Sequence, residues 1–397
     1  MDHRPNHESS NFGLAPMEGV SDLPFRLWAS MASQPYLCST PFLRVTETFP
    51  KKSIPRAYAP ELNELQACVN YKLRPQLMAS KTDDFIRIAE QVLEHSDHVD
   101  LNCGCPSPNA VGSSAGSSLL ANVDGFRQFV ETLCHALGPQ KVSVKMRTGF
   151  NSHEEFEVLI DSIADLPIKH LSIHGRTRDQ RYDGLNRWNM IFEAADRLPY
   201  PVLGSGDIFS SRHITPIRKH IQKLDSILVG RGALRNPWIF SELKTGKQVT
   251  ISKETLRLSL ACLGLLYVLS LRSEDQLFAL IKEGHFVESC MDEEDQWRKL
   301  YHALCVASFK KLTPISELEV PHFVIGRVKM IWNYMRSSLP EEFFEPKILR
   351  SKSLSILLSS IKDVSEKREI SVGHQEMYDW VYTSRKKQPH ECDHLYT

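Results

Sequence analysis

The sequence predicts a (β/α)8 barrel followed by an all-helical domain. Eight short apolar or β-rich runs recur over about 230 residues, most followed by an amphipathic helix-like stretch, and strand-then-helix repetition is the pattern of a barrel. After Asn236-Pro237 the rhythm stops and only helical periods follow. The first run leads into "GLAPMEG", which is not the G-x-G-x-x-G fingerprint of an open doubly wound sheet.

The eight runs are "GLAP" (13–16), "YLCST" (36–40), "QLMAS" (76–80), "HVDLN" (98–102), "VSVKMR" (142–147), "HLSIHG" (170–175), "PVLGSG" (201–206) and "SILVGRG" (226–232). Between them lie stretches such as "DDFIRIAEQVLEH" and "EEFEVLIDSIADL", with apolar residues at spacings of three and four. The expected organisation is a flexible N-terminus at 1–11, a barrel at 12–245, a helical domain at 246–380 and a polar tail at 381–397. No strand-like run is read within the helical domain.

Lys+Arg and Asp+Glu balance at 48 each in 397 residues. No global basic field marks a nucleic-acid binder, so any such surface must be a local patch. The nine cysteines form no regular framework, which suits reduced thiols and a cytoplasmic protein. The polar start lacks the apolar core of a signal peptide. The most apolar stretch, "LSLACLGLLYVLSL" (258–271), is short for a membrane span and reads as a buried helix, so no membrane partner is expected.

In a (β/α)8 barrel the active site lies at the C-terminal ends of the strands. Strand one offers Pro16, Met17 and Glu18, and strand three begins with Gln76, whose amide donates and accepts. Strand four ends in Asn102 and two cysteines. Strand five carries Lys145 and Arg147, and strand six ends in His174 and Arg176. Glycine-rich turns follow strands seven ("GSGD", with Ser205, Gly206 and Asp207) and eight ("GRGA", with Gly230 and Arg231). Such turns expose backbone N–H groups where barrels commonly hold phosphate, and Arg231 adds a charge-assisted contact. Lys145, inside an apolar strand, needs an anionic or strongly accepting partner. The negative edge of a reduced flavin ring suits it, and so does a carboxylate such as Asp100.

The cysteines of "DLNCGCPS" are the other chemical feature. A metal site needs about four ligands, and no second C-x-x-C or H-x-x-x-H pair supports one, so no metal is expected. A thiol near its reference pKa of about 8.5 is mostly protonated at neutral pH and can donate a proton. A proton donor facing a flavin is what reduction of a polarised C=C bond requires. Spacing alone does not say whether Cys103 or Cys105 is that donor.

The segments "LAPMEGVSD", "FLRVTETFP", "APELN", "VDLNCGCPS", "VSVKMRTGF", "HGRTRDQRY", "GSGDI" and "VGRGALRNP" occur in that order between 13 and 237. In this order they resemble the tRNA-dihydrouridine synthase family, most of all its bacterial C-type branch, which modifies uridine 16 of the D-loop. "GRVKMIWNYM" is similar to the core of the family's C-terminal helical domain. The resemblance implies an FMN-binding barrel that reduces a uracil base in tRNA to 5,6-dihydrouracil with NADPH as electron donor, acting as a monomer. It implies Cys105 as proton donor and Cys103 as a packing residue. Pro16, Met17 and Glu18 would line the flavin ring, Gln76 and Lys145 its polar edges, with His174 near the cofactor. Ser205, Gly206, Asp207, Gly230 and Arg231 would hold the phosphate. Asn102, Arg176 and Tyr182 would face the substrate. For an RNA-binding face on the helical domain the basic candidates are Lys310, Lys311, Arg327, Lys329 and Arg336, with Trp332 and Tyr334 nearby, and the tRNA contact is expected from Arg327 and Lys329.

The sequence departs from the family at several points. Ser205 replaces the usual asparagine, Pro41 replaces a glutamate, and Pro108 and Asn109 stand where a basic residue follows the "GCP" motif. The 246–320 segment is longer than its C-type counterpart. Two other readings fit parts of the sequence. One is a flavin barrel acting on a small enone or free pyrimidine. The other is a tRNA-binding homologue that has lost catalysis.

Overall fold

The computed structural model describes residues 11–49, 58–62, 64–107, 112, 114–287, 291–344, 346–363 and 369–372. The expected polar tail, nearly all of the expected flexible N-terminus, and Pro108 and Asn109 lie outside the described residues. Eight parallel strands close a barrel in chain order: β1 (Asn11–Leu14), β2 (Leu37–Arg44), β3 (Lys72–Met78), β4 (Val99–Cys103), β5 (Val142–Arg147), β6 (Leu171–His174), β7 (Val202–Ser205) and β8 (Ser226–Val229). β8 pairs back onto β1, with Leu14 opposite Val229. The barrel is therefore as the sequence predicts.

Two strands differ in extent. β2 runs past Thr40 to Arg44, and its register against β3 shifts between Ser39 and Phe42. Pro41 lies in that irregularity, where a residue without an N–H is tolerated. Its carbonyl accepts from the Tyr58 hydroxyl at 2.8 Å. β3 starts four residues earlier than expected, so Gln76 lies within the strand and not at its start.

The barrel helices are α1 (Leu23–Ser33), α2 (Thr82–Leu93), α3 (Val123–Leu137), α4 (Phe156–Ile163), α5 (Trp188–Arg197), α6 (Arg218–Ile221), α7 (Arg231–Arg235) and α8 (Ile239–Thr245). α2 shows why: Phe85, Ile88, Ala89 and Val92 fall on one face and are buried, and Asp83 and Asp84 sit in the first turn, where the helix end favours negative charge. Between β2 and β3 the described residues hold only the 3₁₀ turns Pro60–Leu62 and Glu64–Cys68. Strand alternation sorts the side chains. Val99, Leu101 and Cys103 join the apolar layer under the helices. Asp100, Ser143 and Ser172 form a polar layer inside the barrel with Arg74, which donates to Ser172 at 3.0 Å and to Ser39 at 3.1 Å.

The second domain is built on α9 (Lys253–Arg272), a helix of 20 residues buried along most of its length. It is long and apolar enough to cross a membrane, yet it forms the domain core, packed by α10 (Glu274–Lys282), α11 (Glu293–Phe309), α12 (His322–Met335) and α14 (Leu354–Asp363), with the short α13 (Pro346–Arg350) between the last two. The domain is not all-helical, which corrects the expectation. β9 (Val249–Ser252) and β10 (Glu369–Val372) pair antiparallel and join its beginning to its end. The long 246–320 segment also has a place: α10 packs against the Glu64–Cys68 turn, and Asn70 donates to the Phe286 carbonyl at 3.4 Å. α9 is tied to the barrel by the Trp28 indole, which donates to the Ser259 carbonyl at 2.8 Å.

Arg26 and Glu61 form a fully buried ion pair, with Nε and Nη2 each donating at 2.7 Å. The Tyr71 hydroxyl also donates to Glu61, at 2.8 Å. The pair fastens α1 to the turns that occupy the place of a helix after β2. Removing one member leaves a buried charge uncompensated, which costs about 3–5 kcal/mol. Glu61→Ala is therefore expected to lower the unfolding free energy by about that amount in denaturant titration. A loss under about 1 kcal/mol contradicts this assignment.

Candidate active site

The loop after β4 is set from below by a chain of amides. Ser143 donates to Asp100 Oδ1 at 2.6 Å, and Gln76 Nε2 donates to Asp100 Oδ2 at 2.6 Å. Asn102 Nδ2 donates to Gln76 Oε1 at 2.7 Å. That leaves Asn102 Oδ1 to accept from the backbone N–H groups of Gly104, at 3.1 Å, and Cys105, at 3.0 Å. Ser117 Oγ donates to the Cys105 carbonyl at 2.7 Å from the other side. Cys105 is thus held half-buried at the mouth, while Cys103, two residues earlier, is wholly buried on the outer face of β4. The structure separates the two thiols that spacing alone could not.

A cavity of about 640 Å³ opens at the C-terminal ends of the strands. Pro16, Met17, Glu18, Asn102, Cys105, Lys145, His174 and Tyr182 line it, together with Ser205, Gly206, Asp207, Gly230 and Arg231. With Arg147 at the end of β5, the structure therefore gathers fourteen of the barrel residues singled out in the sequence. Burial pushes the Cys105 thiol up, and nearby Glu18 adds to this, so the thiol is protonated at neutral pH. Burial likewise draws Lys145 down to about 8, helped by Arg147. No carboxylate lies within ion-pair distance of Lys145 among the described residues, and Asp100 is engaged by Gln76 and Ser143. His174 is held well below its ordinary value by burial and then by the surrounding cations, so its ring is neutral.

At the corner of β7 and β8 the backbone comes close to the cavity. Gly206 has a positive φ of 125°, and a Cβ there would lie 2.0 Å from Asn186 Oδ1. A Cβ on Gly232 would meet the Ile208 carbonyl at 2.1 Å. Only glycine fits at either position. The Asp207 carboxylate is occupied: Arg176 donates to it at 2.5 and 2.9 Å, and Arg231 at 3.0 Å. Asp207 thus aims Arg231, and any phosphate contact falls to the backbone and that guanidinium.

Two expectations are corrected, and a third residue is already engaged. Arg176 does not line the cavity. It is buried and ties Asp207 to the Gly184 carbonyl, which fixes the loop that carries Tyr182. Gln76 lies one layer beneath the cavity, as the amide that orients Asn102. Arg327 is engaged with the barrel: it pairs with Asp22 at 2.9 Å, donates to the Gly19 carbonyl, and lies over the rings of Tyr267 and Phe323. Lys329 is half-buried on the same helix and does not line the cavity.

Sequence reading named Arg147 without giving it a role, and missed other parts of the wall. Arg147 lines the cavity and links two loops, after β4 and after β6, by donating to the carbonyls of Gly104, Thr177 and Arg181, and burial draws its guanidinium down to about 10. Tyr182 lies over both Arg147 and Arg231, at 5.8 and 4.7 Å. Phe42 and Phe209 add apolar surface, and Arg235, Asn333, Tyr334 and Ser337 close the rim. The last three come from the end of α12 and just beyond it. Arg147 is one of the strand-end residues read from the sequence, there without a role, while Asn333 and Ser337 carry no local signal. No group of three or more His, Cys, Asp or Glu side chains among the described residues is arranged to hold a metal ion.

Residues 13–303 match the family model described as dihydrouridine synthase (Dus). The chain belongs to the dihydrouridine synthase family. Three relatives show how this family member is placed. It is 31% identical over 257 residues to the tRNA-dihydrouridine(47) synthase [NAD(P)(+)] of Coprinopsis cinerea, which covers 60% of this chain and 37% of that protein. It is 33% identical over 228 residues to the tRNA-dihydrouridine(16) synthase of Escherichia coli O157:H7, covering 56% of this chain and 72% of the relative. A probable tRNA-dihydrouridine synthase of Helicobacter pylori is 29% identical over 250 residues, covering 61% and 73%. The match thus spans little more than a third of the fungal relative's length.

The buried Lys145 gives this dihydrouridine synthase family member a pH signature. Its folded value is about 8 against an ordinary 10.5, so between those values the unfolded chain holds a proton there that the folded chain does not. Stability from this group therefore rises with pH across that window and is constant below it. In ligand-free protein, the unfolding free energy of wild type minus that of Lys145→Met is expected to climb as pH is raised from 8 to 10.5. A difference that stays flat across the window contradicts a buried, uncompensated ammonium.

Proposed function

We propose that this chain reduces a uridine of tRNA to 5,6-dihydrouridine, using FMN held in the mouth cavity, NADPH as electron donor and Cys105 as the acid. One observation carries the reading: a protonated thiol, a buried lysine without a carboxylate partner, and two glycine turns converge on one cavity, part of whose rim is the second domain. Family membership and the names of the relatives support it.

The residues present fit FMN. Lys145 would supply a cation for the electron-rich edge of the ring, and Pro16 and Met17, which line the same cavity, would offer it apolar surface. The backbone at Gly206 and Gly230, with Arg231 aimed by Asp207, suits a phosphate. A flavin held there would, when reduced, supply the hydride for C6 of the uracil. Cys105 gives its proton to C5, so the C5=C6 π bond is replaced by two C–H bonds, and the thiolate then recovers a proton from water. Asn102 is locked in one amide orientation by Gln76 and Asp100, and it holds the Cys105 backbone while its side chain borders the space for the base. The neutral His174 ring keeps a further positive charge away from the flavin site.

A D-loop uridine, and position 16 in particular, is the expectation that the bacterial relatives favour, while the fungal relative's name carries position 47. The second domain favours a macromolecular substrate over a small enone, because three of its residues form part of the cavity wall. Catalysis is tested at the thiol. Turnover of Cys105→Ala on tRNA is expected to fall by roughly 10²–10⁴-fold, the range for loss of a general acid, with the bound flavin still reduced by NADPH. Cys103→Ala, on the outer face of β4, is expected to lose far less. The opposite order in a single-turnover assay would assign the proton to the wrong thiol.

A further inference from the structure

One wall of the cavity is a ladder of alternating aromatic rings and guanidinium groups. Arg231 lies over the Tyr182 ring at 4.7 Å and over the Phe209 ring at 5.5 Å. Arg235, one helical turn further along α7, lies over the same Phe209 ring at 4.7 Å. α7 packs against α12, and the Tyr334 phenol of α12 comes near enough to Arg235 to act on its charge. All five side chains line the cavity. The rungs differ in exposure. Phe209 is 1% exposed and Arg235 8%, whereas Tyr182 and Tyr334, at the two ends, are 56% and 38% exposed. Tyr334 is therefore the open end of the ladder on the side of the second domain. Asn333 beside it is also exposed and lines the cavity, and its amide both donates and accepts.

A ring left in water at a cavity rim forgoes the gain of burial until something covers it. A flat face with a polar tip matches a nucleobase, because unpaired bases of RNA stack on aromatic side chains and are read along their edges. The location selects which base. The reacting uracil is claimed by Cys105 and the proposed flavin, so a ring at the rim meets the next base along the strand. Drawing one base out of a folded RNA also strips its neighbour of a stacking partner, at a cost in free energy. A tyrosine face at the rim replaces the lost partner.

We infer that Tyr334 is a stacking platform for the nucleobase adjoining the uridine in the cavity, with Asn333 at the edge of that base. The platform rests on the proposed RNA substrate. It gives α12 a role in substrate recognition through the end that reaches the cavity, by a contact that carries no charge.

Equilibrium binding of an unmodified tRNA transcript to the flavin-loaded protein tests the platform. Tyr334→Ala is expected to weaken binding by about tenfold, as loss of one base–aromatic stack does, with the log–log salt slope unchanged because no phosphate contact is lost. Tyr334→Phe keeps the ring and is expected to bind within about twofold of wild type. Tyr334→Leu keeps apolar bulk without an aromatic face and is expected to follow the alanine variant. Transcripts carrying one abasic residue at a time through the unpaired loops locate the stacked base. In wild type, one position beside the reduced uridine is expected to cost the same tenfold, and in Tyr334→Ala that position costs nothing further. Unchanged affinity in Tyr334→Ala overturns the platform. So does a Tyr334→Phe variant as weak as Tyr334→Ala, which assigns the contact to the hydroxyl, or a flattened salt slope, which assigns it to charge. Loss of flavin in proportion to any loss of binding also overturns it, as does a raised KM for NADPH at intact tRNA affinity, because the ring then belongs to a cofactor. If Tyr334→Ala does not fold, the abasic scan of wild type decides, and no sensitive position beside the reduced uridine overturns the platform. Since the readout is binding, a Tyr334→Ala effect that vanishes at one abasic position supports the platform even if wild type forms no dihydrouridine, an outcome that defeats only the uridine-reduction reading.

Discussion

The chemistry of the site depends on one hydrogen bond, from Cys105 N–H to Asn102 Oδ1. It places the thiol at the barrel mouth, and it exists only because the Asn102 amide is oriented. Asp100 is acceptor-only when ionised, so Gln76 must turn its NH₂ toward it and its oxygen toward Asn102. Asn102 must then present its own oxygen to the loop. Direction is passed from a buried carboxylate through two amides to the backbone of the thiol, with Ser143 closing the other side of Asp100. The network sits between β3, β4 and β5, whose register places Gln76 opposite Asp100 and Asn102 opposite Lys145. The acid and the cation of the site are thus fixed relative to each other by strand pairing.

A second constraint acts from the side. The β1 loop, which carries Pro16, Met17 and Glu18 into the cavity, is gripped from the helical domain. Asp22 caps α1 at Phe25 and accepts from both the Tyr267 hydroxyl and Arg327. Burial raises the Asp22 carboxyl, and Arg327 is the largest influence opposing it. The loop under the proposed flavin ring and the helix at the cavity rim are therefore parts of one mechanical unit. Charge at Arg327 serves this unit, and its removal acts on the cavity as much as on any RNA face.

Much of the barrel was legible in the sequence, because a parallel strand buried on both faces reads as a short apolar run. β5 matches its predicted run residue for residue. Which thiol faces the mouth was legible in principle from strand alternation, since Cys103 follows Val99 and Leu101 at intervals of two. The partners of charged residues were not legible. Arg176 meets Asp207 across 31 residues and Arg327 meets Asp22 across 305, and sequence shows a charge without showing what neutralises it. β9 and β10 were missed for a related reason: each is four residues long and gains its identity only from the other. Gln76 was recognised as important but placed at a strand end, because the run before it, with Arg74 and Pro75, reads as polar and broken when the barrel interior is itself polar.

The central claim is that this cavity exists to reduce a uridine held in RNA. Its most direct test is dihydrouridine mapping, by site-specific reverse-transcription arrest, in tRNA from cells lacking this chain and from the same cells with it restored. The account predicts that dihydrouridine disappears at one or more defined positions, that it returns with the wild-type chain, and that it does not return with Cys105→Ala. A full set of dihydrouridines in cells lacking the chain, with purified protein inert on the same tRNA, contradicts it.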